Sequence, residues 1–257
     1  MNVATVFDLG PLAFVFAASV AVVAGFVKGA TGFAMPMVMI SGLGSFLAPE
    51  VALAALILPT LVSNLWQAFR QGVAAAWASA REHWRYVTMV ALFIALAAQL
   101  VTSIPSRALF LILGVPVTIF AILQLSGWRP TVHDGNRRRV EYGVGAFAGT
   151  LGGLSGVWGP PTVLYLMAMN TPKRESVRVQ GVVYGTGSVM LLGGHMTSGV
   201  LNPATLPLSM ALVVPAVLGL LIGFVVQDRL DQDRFRTLTL IVLVIAGLNL
   251  IRRGLGF

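Results

Sequence analysis

The sequence predicts an all-α membrane protein, a polytopic bundle of about eight spans arranged as two homologous halves. Of its 257 residues, 57% are hydrophobic and only 10% are charged, and the mean hydropathy of +0.87 is far above that of a soluble domain. Apolar runs recur from one end of the chain to the other, so no separate soluble domain is expected. Each half also carries one stretch rich in glycine, followed by proline, which predicts a broken or re-entrant segment.

Ten helical segments follow from the apolar runs and the residues that interrupt them. In chain order they cover 11–27, 34–47, 51–69, 85–104, 107–126, 140–156, 160–170, 176–197, 206–227 and 235–252. At about 1.5 Å per residue, segments 34–47 and 160–170 reach only about 16 to 21 Å, whereas the hydrocarbon core is about 30 Å thick. We therefore interpret these two segments as half-helices and predict eight full spans, with ten spans as the alternative.

The net charge of +8 indicates membrane topology and not nucleic-acid binding, because most basic residues fall in the short connections between apolar runs. Two predicted spans separate the connection that holds Arg81 from the connection that holds Arg137. Both connections therefore lie on one side, which should be cytoplasmic. The eight-span arrangement also places Arg252 on that side. It places Lys173 and Arg178 outside, however, which argues against it.

Two glycine clusters indicate an internal repeat. The stretch GFVKGATGFAMP at 25–36 aligns without a gap with GTLGGLSGVWGP at 149–160, and each aligned pair is 124 residues apart. The matching pairs are Gly25 and Gly149, Gly29 and Gly153, Gly32 and Gly156, Pro36 and Pro160, and, as hydroxyl residues, Thr31 and Ser155. We predict a first membrane repeat at 1–127, a polar linker at 128–139 and a second repeat at 140–257.

Lys28 lies inside the first glycine cluster, where an apolar segment would otherwise continue. A lysine at membrane depth costs about 2.5 kcal/mol or more, so one interpretation is a functional role with an anionic partner. The other is a snorkelling lysine whose ammonium reaches the lipid headgroups. The half-helices start near Phe33 and Pro160, and helix starts attract anions. Paired broken segments at corresponding places in two halves indicate the central site of a secondary transporter.

Polar residues in two later segments extend this candidate site. Gln180, Tyr184 and Ser188 follow one another at intervals of four, which places them on one helix face, and Asn64 aligns with Ser188 in the repeat. Such a stripe either lines a pathway or hydrogen-bonds a neighbouring helix, and three aligned polar groups favour the pathway. The candidate substrate-binding residues are therefore Lys28, Thr31, Gly32, Asn64, Ser155, Gly156, Gln180, Tyr184 and Ser188.

Several activities have no support in the sequence. It lacks the HExxH, GxxxxGK[ST], GxGxxG and GxSxG motifs, which argues against zinc proteolysis, ATP hydrolysis, dinucleotide binding and a nucleophile elbow. Without cysteine there is no thiolate chemistry and no cysteine zinc site. We predict no catalytic residue, no metal site and no cofactor. The alternative functions are an intramembrane enzyme, which would act on an anionic lipid-linked substrate through Lys173, Arg174 and Arg178, and a structural subunit.

The two glycine-rich motifs resemble those of the TauE/SafE family of membrane proteins, also called the TSUP or sulfite exporter family. The resemblance depends on GFVKGATGFAMPMVM followed by APEVALAALILPTLVSN, and on GTLGGLSGVWGPPTVLYLM followed by the helix that carries Gln180. It implies transport, often outward, of sulfur-containing or organic anions such as sulfite or sulfonates across the bacterial inner membrane by alternating access. Lys28 and Trp158 depart from the commonest family pattern, and we expect them to affect substrate choice.

The expected partners are a small anionic substrate and the lipid bilayer, but not nucleic acid. Proton coupling, for which His195 and the carboxylates of the connections are the candidates, and a homodimer are further predictions.

Overall fold

The computed structural model describes residues 10–128, 131–132, 134–227 and 232–256, and these residues form helices and connections but no β-strand. The α-helices are α1 (Pro11–Thr31), α2 (Met35–Leu43), α3 (Pro49–Phe69), α4 (Val73–Glu82), α5 (Trp84–Ala98), α6 (Ser106–Leu125), α7 (Arg137–Ser155), α8 (Gly159–Ala168), α9 (Lys173–Thr197), α10 (Leu206–Ala211), α11 (Val213–Gln227) and α12 (Gln232–Leu255). The prediction of an all-α protein is confirmed. The start of the first predicted repeat at 1–9, part of the predicted linker at 129–130 and 133, and residues 228–231 and 257 of the second predicted repeat lie outside the described residues.

Prolines and glycines set several helix ends. Pro11 and Pro49 lie in the first turns of α1 and α3. N–H groups in a first turn have no acceptor within the helix, so proline costs no hydrogen bond there. Helix α1 ends at Gly32 and helix α7 at Gly156, and these glycines have φ angles of +84° and +71°. Residues with a Cβ rarely adopt such angles, so glycine lets the chain turn at once into a new helix.

The helices that follow these two turns are short, as predicted. Helix α2 has 9 residues and α8 has 10. At about 1.5 Å per residue they reach about 13 to 15 Å, which is about half of the hydrocarbon core. Helices α1 and α2 thus form a first hairpin with its tip at residues 32–34, and α7 and α8 form a second hairpin with its tip at residues 156–158.

Close glycine contacts hold the long helix of each hairpin against one neighbour. Helix α1 packs along α11, and helix α7 packs along α5. A Cβ at Gly29 would collide with the backbone of α11 at Leu220, and a Cβ at Gly153 would lie 2.6 Å from the Ile94 carbonyl oxygen of α5. Helices α3 and α9 pack against each other, as do α6 and α12. Small residues therefore allow backbone contact between these helices, as is common in membrane bundles.

The connection between α8 and α9 lies next to α4 and the linker. Arg178 donates a hydrogen bond to the Ser79 hydroxyl at 2.6 Å, and the Val132 N–H donates to the Ala168 carbonyl at 3.0 Å. We call this the linker side of the bundle. Since α7 begins on the linker side and α8 ends there, the second hairpin enters from that side.

The first hairpin enters from the other end of the bundle, which we call the opposite side. The Phe16 ring near the start of α1 lies 5.2 Å from the Phe46 ring after α2, centroid to centroid. Arg253 at the end of α12 donates to the Leu47 carbonyl at 3.4 Å. The start of α1, the end of α2 and the C-terminal helix end are therefore together on the opposite side.

This arrangement bears on the predicted number of spans. In the eight-span arrangement, Arg81 and Arg252 lie on one side and Arg178 lies on the other. The contacts instead place Arg178 on the linker side, and they place the end of α12 on the opposite side. Each short helix thus returns the chain to the side from which its hairpin enters, so the connections lie on the sides that the ten-span alternative expects. Eight full spans are not confirmed. Within the described residues, five stretches are long and apolar enough to cross a membrane: Pro11–Thr31, Pro49–Phe69, Trp84–Ser103, Ser106–Leu125 and Leu206–Val225.

Candidate functional site

The tips of the two hairpins meet at one small cavity. The first hairpin contributes Lys28, Phe33, Ala34, Pro36 and Met37, the second contributes Gly156, Val157, Trp158, Gly159 and Pro160, and α3 and α9 add Asn64 and Tyr184. The cavity has a volume of about 20 Å³, which is room for about one water molecule. The structure therefore brings the two glycine clusters together around a space of about this size.

Lys28 is the charged group of this cavity. Its side chain is only 2% exposed, and its ammonium donates a hydrogen bond to the side-chain oxygen of Asn64. The ammonium also lies 5.7 Å from the centroid of the Tyr184 ring, within the range of a cation–π contact. Among the described residues that line the cavity there is no carboxylate. This burial is contrary to a snorkelling lysine and leaves the positive charge without an anionic neighbour in the cavity wall.

Asn64 links the lysine to the neighbouring helix. Its side-chain N–H donates to the backbone carbonyl of Tyr184 at 3.3 Å, which turns the amide oxygen toward Lys28. The Tyr184 hydroxyl in turn donates to the Gly159 carbonyl at the start of α8, at 3.4 Å. Helices α1, α3, α8 and α9 are thus connected around the cavity through Lys28, Asn64 and Tyr184.

Thr31 and Ser155 occupy equivalent positions beside the two breaks. The Thr31 hydroxyl donates to the Val27 carbonyl at 2.7 Å, and the Ser155 hydroxyl donates to the Leu151 carbonyl at 2.5 Å. The Ser155 oxygen also accepts from the N–H of Val157 at 3.1 Å. Neither hydroxyl lines the cavity. The Thr31 oxygen likewise accepts from the N–H of Phe33 at 3.4 Å, so each hydroxyl pairs a backbone N–H that the break would otherwise leave free.

Of the remaining residues predicted from the sequence, one lines the cavity and the others lie beside it or bond within their own helix. Gly156 lines the cavity, and Gly32 lies just before the part of the first tip that does. Gln180 donates to the Ser176 hydroxyl at 3.3 Å, and Ser188 donates to the Gly185 carbonyl at 2.9 Å within α9. The structure therefore brings Lys28, Asn64, Gly156 and Tyr184 together at the cavity. It does not bring Thr31, Gly32, Ser155, Gln180 or Ser188 to the cavity wall.

Trp158 is a cavity residue that the candidate set did not include. Its side chain is 2% exposed, and its indole nitrogen has no hydrogen-bond partner among the described residues. Phe33 and Met37 complete an apolar wall. A tryptophan inside a glycine-rich break was the only signal for this position, because Phe and Met in an apolar segment look like ordinary packing residues.

Prolines reduce the number of N–H groups that the starts of α2 and α8 can donate. Pro36, Pro160 and Pro161 stand in the first turns of α2 and α8 and carry no N–H. The free N–H groups expected in these turns are therefore those of Met35, Met37 and Gly159. The positive end of each helix dipole remains, because it arises from the aligned peptide units of the whole helix.

The residues considered for the other functions lie elsewhere. Arg178 is bonded to Ser79 on the linker side, and the side chains of Lys173 and Arg174 are outside the described part of the structure. His195 is fully buried near the opposite end of α9, where its Nδ1 lies 3.4 Å from the Ser198 hydroxyl. Neither Arg178 nor His195 lines the cavity.

Comparison with known proteins gives one match. Residues 17–250 match the sulfite exporter TauE/SafE family, which covers nearly the whole chain and confirms the resemblance inferred from the glycine-rich motifs. No curated protein and no solved structure gives a significant match.

Proposed function

Because this chain belongs to the sulfite exporter TauE/SafE family, we propose that it is a secondary transporter that exports sulfite or a related small sulfonate or organic anion across a bacterial inner membrane. The family consists of membrane transporters of sulfite-type anions, and a non-enzyme function fits this membership. The observation that carries the proposal is the buried ammonium of Lys28 at the meeting point of the two hairpin tips.

A bound anion would supply the charge that the cavity wall lacks. A buried ammonium is costly unless it is paired, and charge pairs interact more strongly in a dry interior than in water. Asn64 provides a dipole but no opposite charge. An oxyanion that replaces the Asn64 oxygen on Lys28 would gain an ion pair, and the positive ends of α2 and α8 would add to the attraction.

The size of the cavity favours a transport cycle with a closed state. A cavity with room for about one water must widen before it admits an anion the size of sulfite. The two hairpins enter from opposite sides and meet only at their tips. A movement of either hairpin would therefore open the cavity toward its own side, which is what alternating access requires.

Two related halves of inverted orientation are part of this proposal. Each helix of residues 1–127 has a counterpart in residues 140–257, and the packed pairs match under this correspondence. The α1–α11 pair corresponds to the α7–α5 pair. In the α3–α9 and α6–α12 pairs, each helix packs against its own counterpart. The Gly29 and Gly153 contacts follow the same correspondence. Because the first hairpin enters from the opposite side and the second from the linker side, the halves would be inverted repeats, a common design of secondary transporters.

Charge distribution supports an orientation with the linker side in the cytoplasm. Basic residues concentrate there at Arg70, Arg81, Arg85, Arg137, Arg138, Arg139, Lys173, Arg174 and Arg178, whereas the opposite side has Arg107, Arg252 and Arg253. Excess positive charge stays on the cytoplasmic side of bacterial membranes. Proton coupling through His195 and formation of a homodimer stay predictions.

Sulfite flux into proteoliposomes tests the proposal. Lys28→Met removes the ammonium but keeps an unbranched side chain, and we expect it to abolish flux while the protein remains folded. Arg252→Gln removes one positive charge from an exposed helix end and should leave flux unchanged. Wild-type flux in Lys28→Met would exclude the proposed site. Absence of flux in the wild type for sulfite, sulfonates and small carboxylates would exclude the proposed function.

A further inference from the structure

Three ligand-type side chains converge on the linker side, apart from the cavity. Glu82 ends α4, His83 connects α4 to α5, and Glu175 lies in the first turn of α9. One ring nitrogen of His83 and one carboxylate oxygen of each glutamate all lie within 4.8 Å of one another. The residues are separated by up to 93 positions in the chain, so no local motif could have indicated this group.

His83 is buried, and only one of its two ring nitrogens has a hydrogen-bond partner among the described residues. Its side chain is 3% exposed, its Nδ1 lies 2.9 Å from the Tyr165 hydroxyl, and its Nε2 has no hydrogen-bond partner among the described residues. Histidines that bind metals usually have one nitrogen fixed by a neighbouring oxygen, which orients the ring and leaves the other nitrogen for the ion. His83 has this arrangement, with Tyr165 as the fixing group and Nε2 as the free nitrogen.

Two nearby arginines, Arg85 and Arg137, are paired with a different carboxylate. Glu141 accepts hydrogen bonds from Arg137 at 2.9 Å and from Arg85 at 3.1 Å, and the first of these raises the pKa of Arg137. Both arginines thus make their ion pairs with Glu141, although the charge of Glu82 also acts on Arg137. Glu82 is exposed and Glu175 is half-buried, so an ion could reach both carboxylates from solvent.

We propose that Glu82, His83 and Glu175 bind a divalent transition-metal ion of the Zn²⁺ type. One imidazole and two carboxylates are ligands that Zn²⁺ accepts at about 2.0 to 2.2 Å, with a water molecule completing four-coordination. At such distances the ligand atoms lie about 3.4 Å apart. The observed group, with separations of up to 4.8 Å, must therefore close by up to about 1.4 Å, and Glu82 is the exposed member of the group.

The bound ion would connect the α4–α5 junction to the start of α9. Helix α9 carries Tyr184, whose backbone carbonyl holds Asn64 at the cavity. This inference does not depend on the transported substrate, because binding of the ion is measured on its own.

Calorimetric titration of the purified full-length protein in detergent, with any purification tag removed and after treatment with a chelator, tests the site. We expect about one Zn²⁺ per chain and no comparable binding of Mg²⁺, because a hard cation prefers oxygen ligands alone. Glu82→Gln and Glu175→Gln keep the side-chain shape and should each weaken Zn²⁺ binding about tenfold or more, since each removes a charged ligand. Glu50→Gln, in the first turn of α3 on the opposite side, is the matched control and should bind as the wild type does.

Thermal unfolding of the same samples provides a second readout. Zn²⁺ should raise the unfolding temperature of the wild type and of Glu50→Gln, because binding to the folded state stabilises it. It should raise that of Glu175→Gln less. Wild-type Zn²⁺ affinity in both ligand variants, equal binding of Mg²⁺, or no Zn²⁺ binding to the wild type would overturn the proposal.

Discussion

Lys28 places an ionisable amine in surroundings that normally oppose a charge, since its side chain is 2% exposed and its hydrogen-bond partner is a neutral amide. Proteins keep such groups where a charged ligand completes the pair. The residue is therefore more informative about function than any of the hydroxyl groups nearby, which are used to satisfy the backbone at the breaks.

Replacing the neutral partner by a charged one tests this interpretation. In Asn64→Asp, the new carboxylate would pair with Lys28 permanently and repel an incoming anion. We expect sulfite flux to fall about tenfold or more, with little change in the unfolding temperature. Asn249→Asp makes the same substitution in α12 away from the cavity and should not affect flux. Unchanged flux in Asn64→Asp would show that the Lys28–Asn64 contact is structural.

At this scale the sequence indicates polar members of the site better than apolar ones. Lys28, Asn64 and Tyr184 stand out because polar groups are rare and expensive in membrane segments. Phe33, Met37 and Trp158 form the rest of the wall, but an apolar side chain in an apolar segment gives no sign of whether it faces lipid, another helix or a cavity.

At the scale of helices, the two breaks and the close helix contacts both depend on glycine, for different reasons. Gly32 and Gly156 provide a left-handed backbone angle, whereas Gly29 and Gly153 provide the absence of a side chain between two backbones. Breaks followed by short helices could be predicted, because Gly and Pro interrupt an apolar pattern visibly. The neighbour of each glycine helix could not, because spaced small residues indicate close packing without identifying the partner.

Two glycine substitutions in α7 separate packing from helix propensity. A Cβ at Gly153 would lie 2.6 Å from the Ile94 carbonyl oxygen and 2.8 Å from the Ala97 side chain, whereas a Cβ at Gly143 meets nothing within 4 Å. We expect Gly153→Ala to destabilise the protein by about 1 to 3 kcal/mol through overpacking. Gly143→Ala should be neutral or stabilising by up to about 1 kcal/mol. Chemical denaturation in mixed micelles compares them, and equal stabilities would contradict the described α5–α7 contact.

At the scale of the whole molecule, the ten-span and eight-span arrangements differ in the side of the membrane on which the connections lie. The sequence predicted an all-α membrane protein of this family, since composition and the glycine motifs carry that information. It did not give the course of the short helices, because hydropathy measures length and polarity but not the direction in which a hairpin enters. That information lies in long-range contacts such as the one between Arg178 and Ser79.

Labelling of single cysteines tests this topology cleanly, because the chain contains no cysteine of its own. Gln71→Cys, Asn136→Cys and Thr171→Cys lie on the linker side, and Ser103→Cys lies on the opposite side. We expect a membrane-impermeant maleimide to modify Ser103→Cys in intact cells and to modify the other three only in inverted vesicles. Labelling of Thr171→Cys together with Ser103→Cys would instead support eight spans.

Equilibrium binding of radiolabelled sulfite to the purified protein, measured by scintillation proximity, tests the central claim most directly. The claim is that an anion occupies the cavity between the hairpin tips beside the Lys28 ammonium. It predicts saturable sulfite binding to the wild type and to Arg252→Gln, and loss of that binding in a folded Lys28→Met variant. Saturable binding of wild-type affinity in Lys28→Met would contradict it.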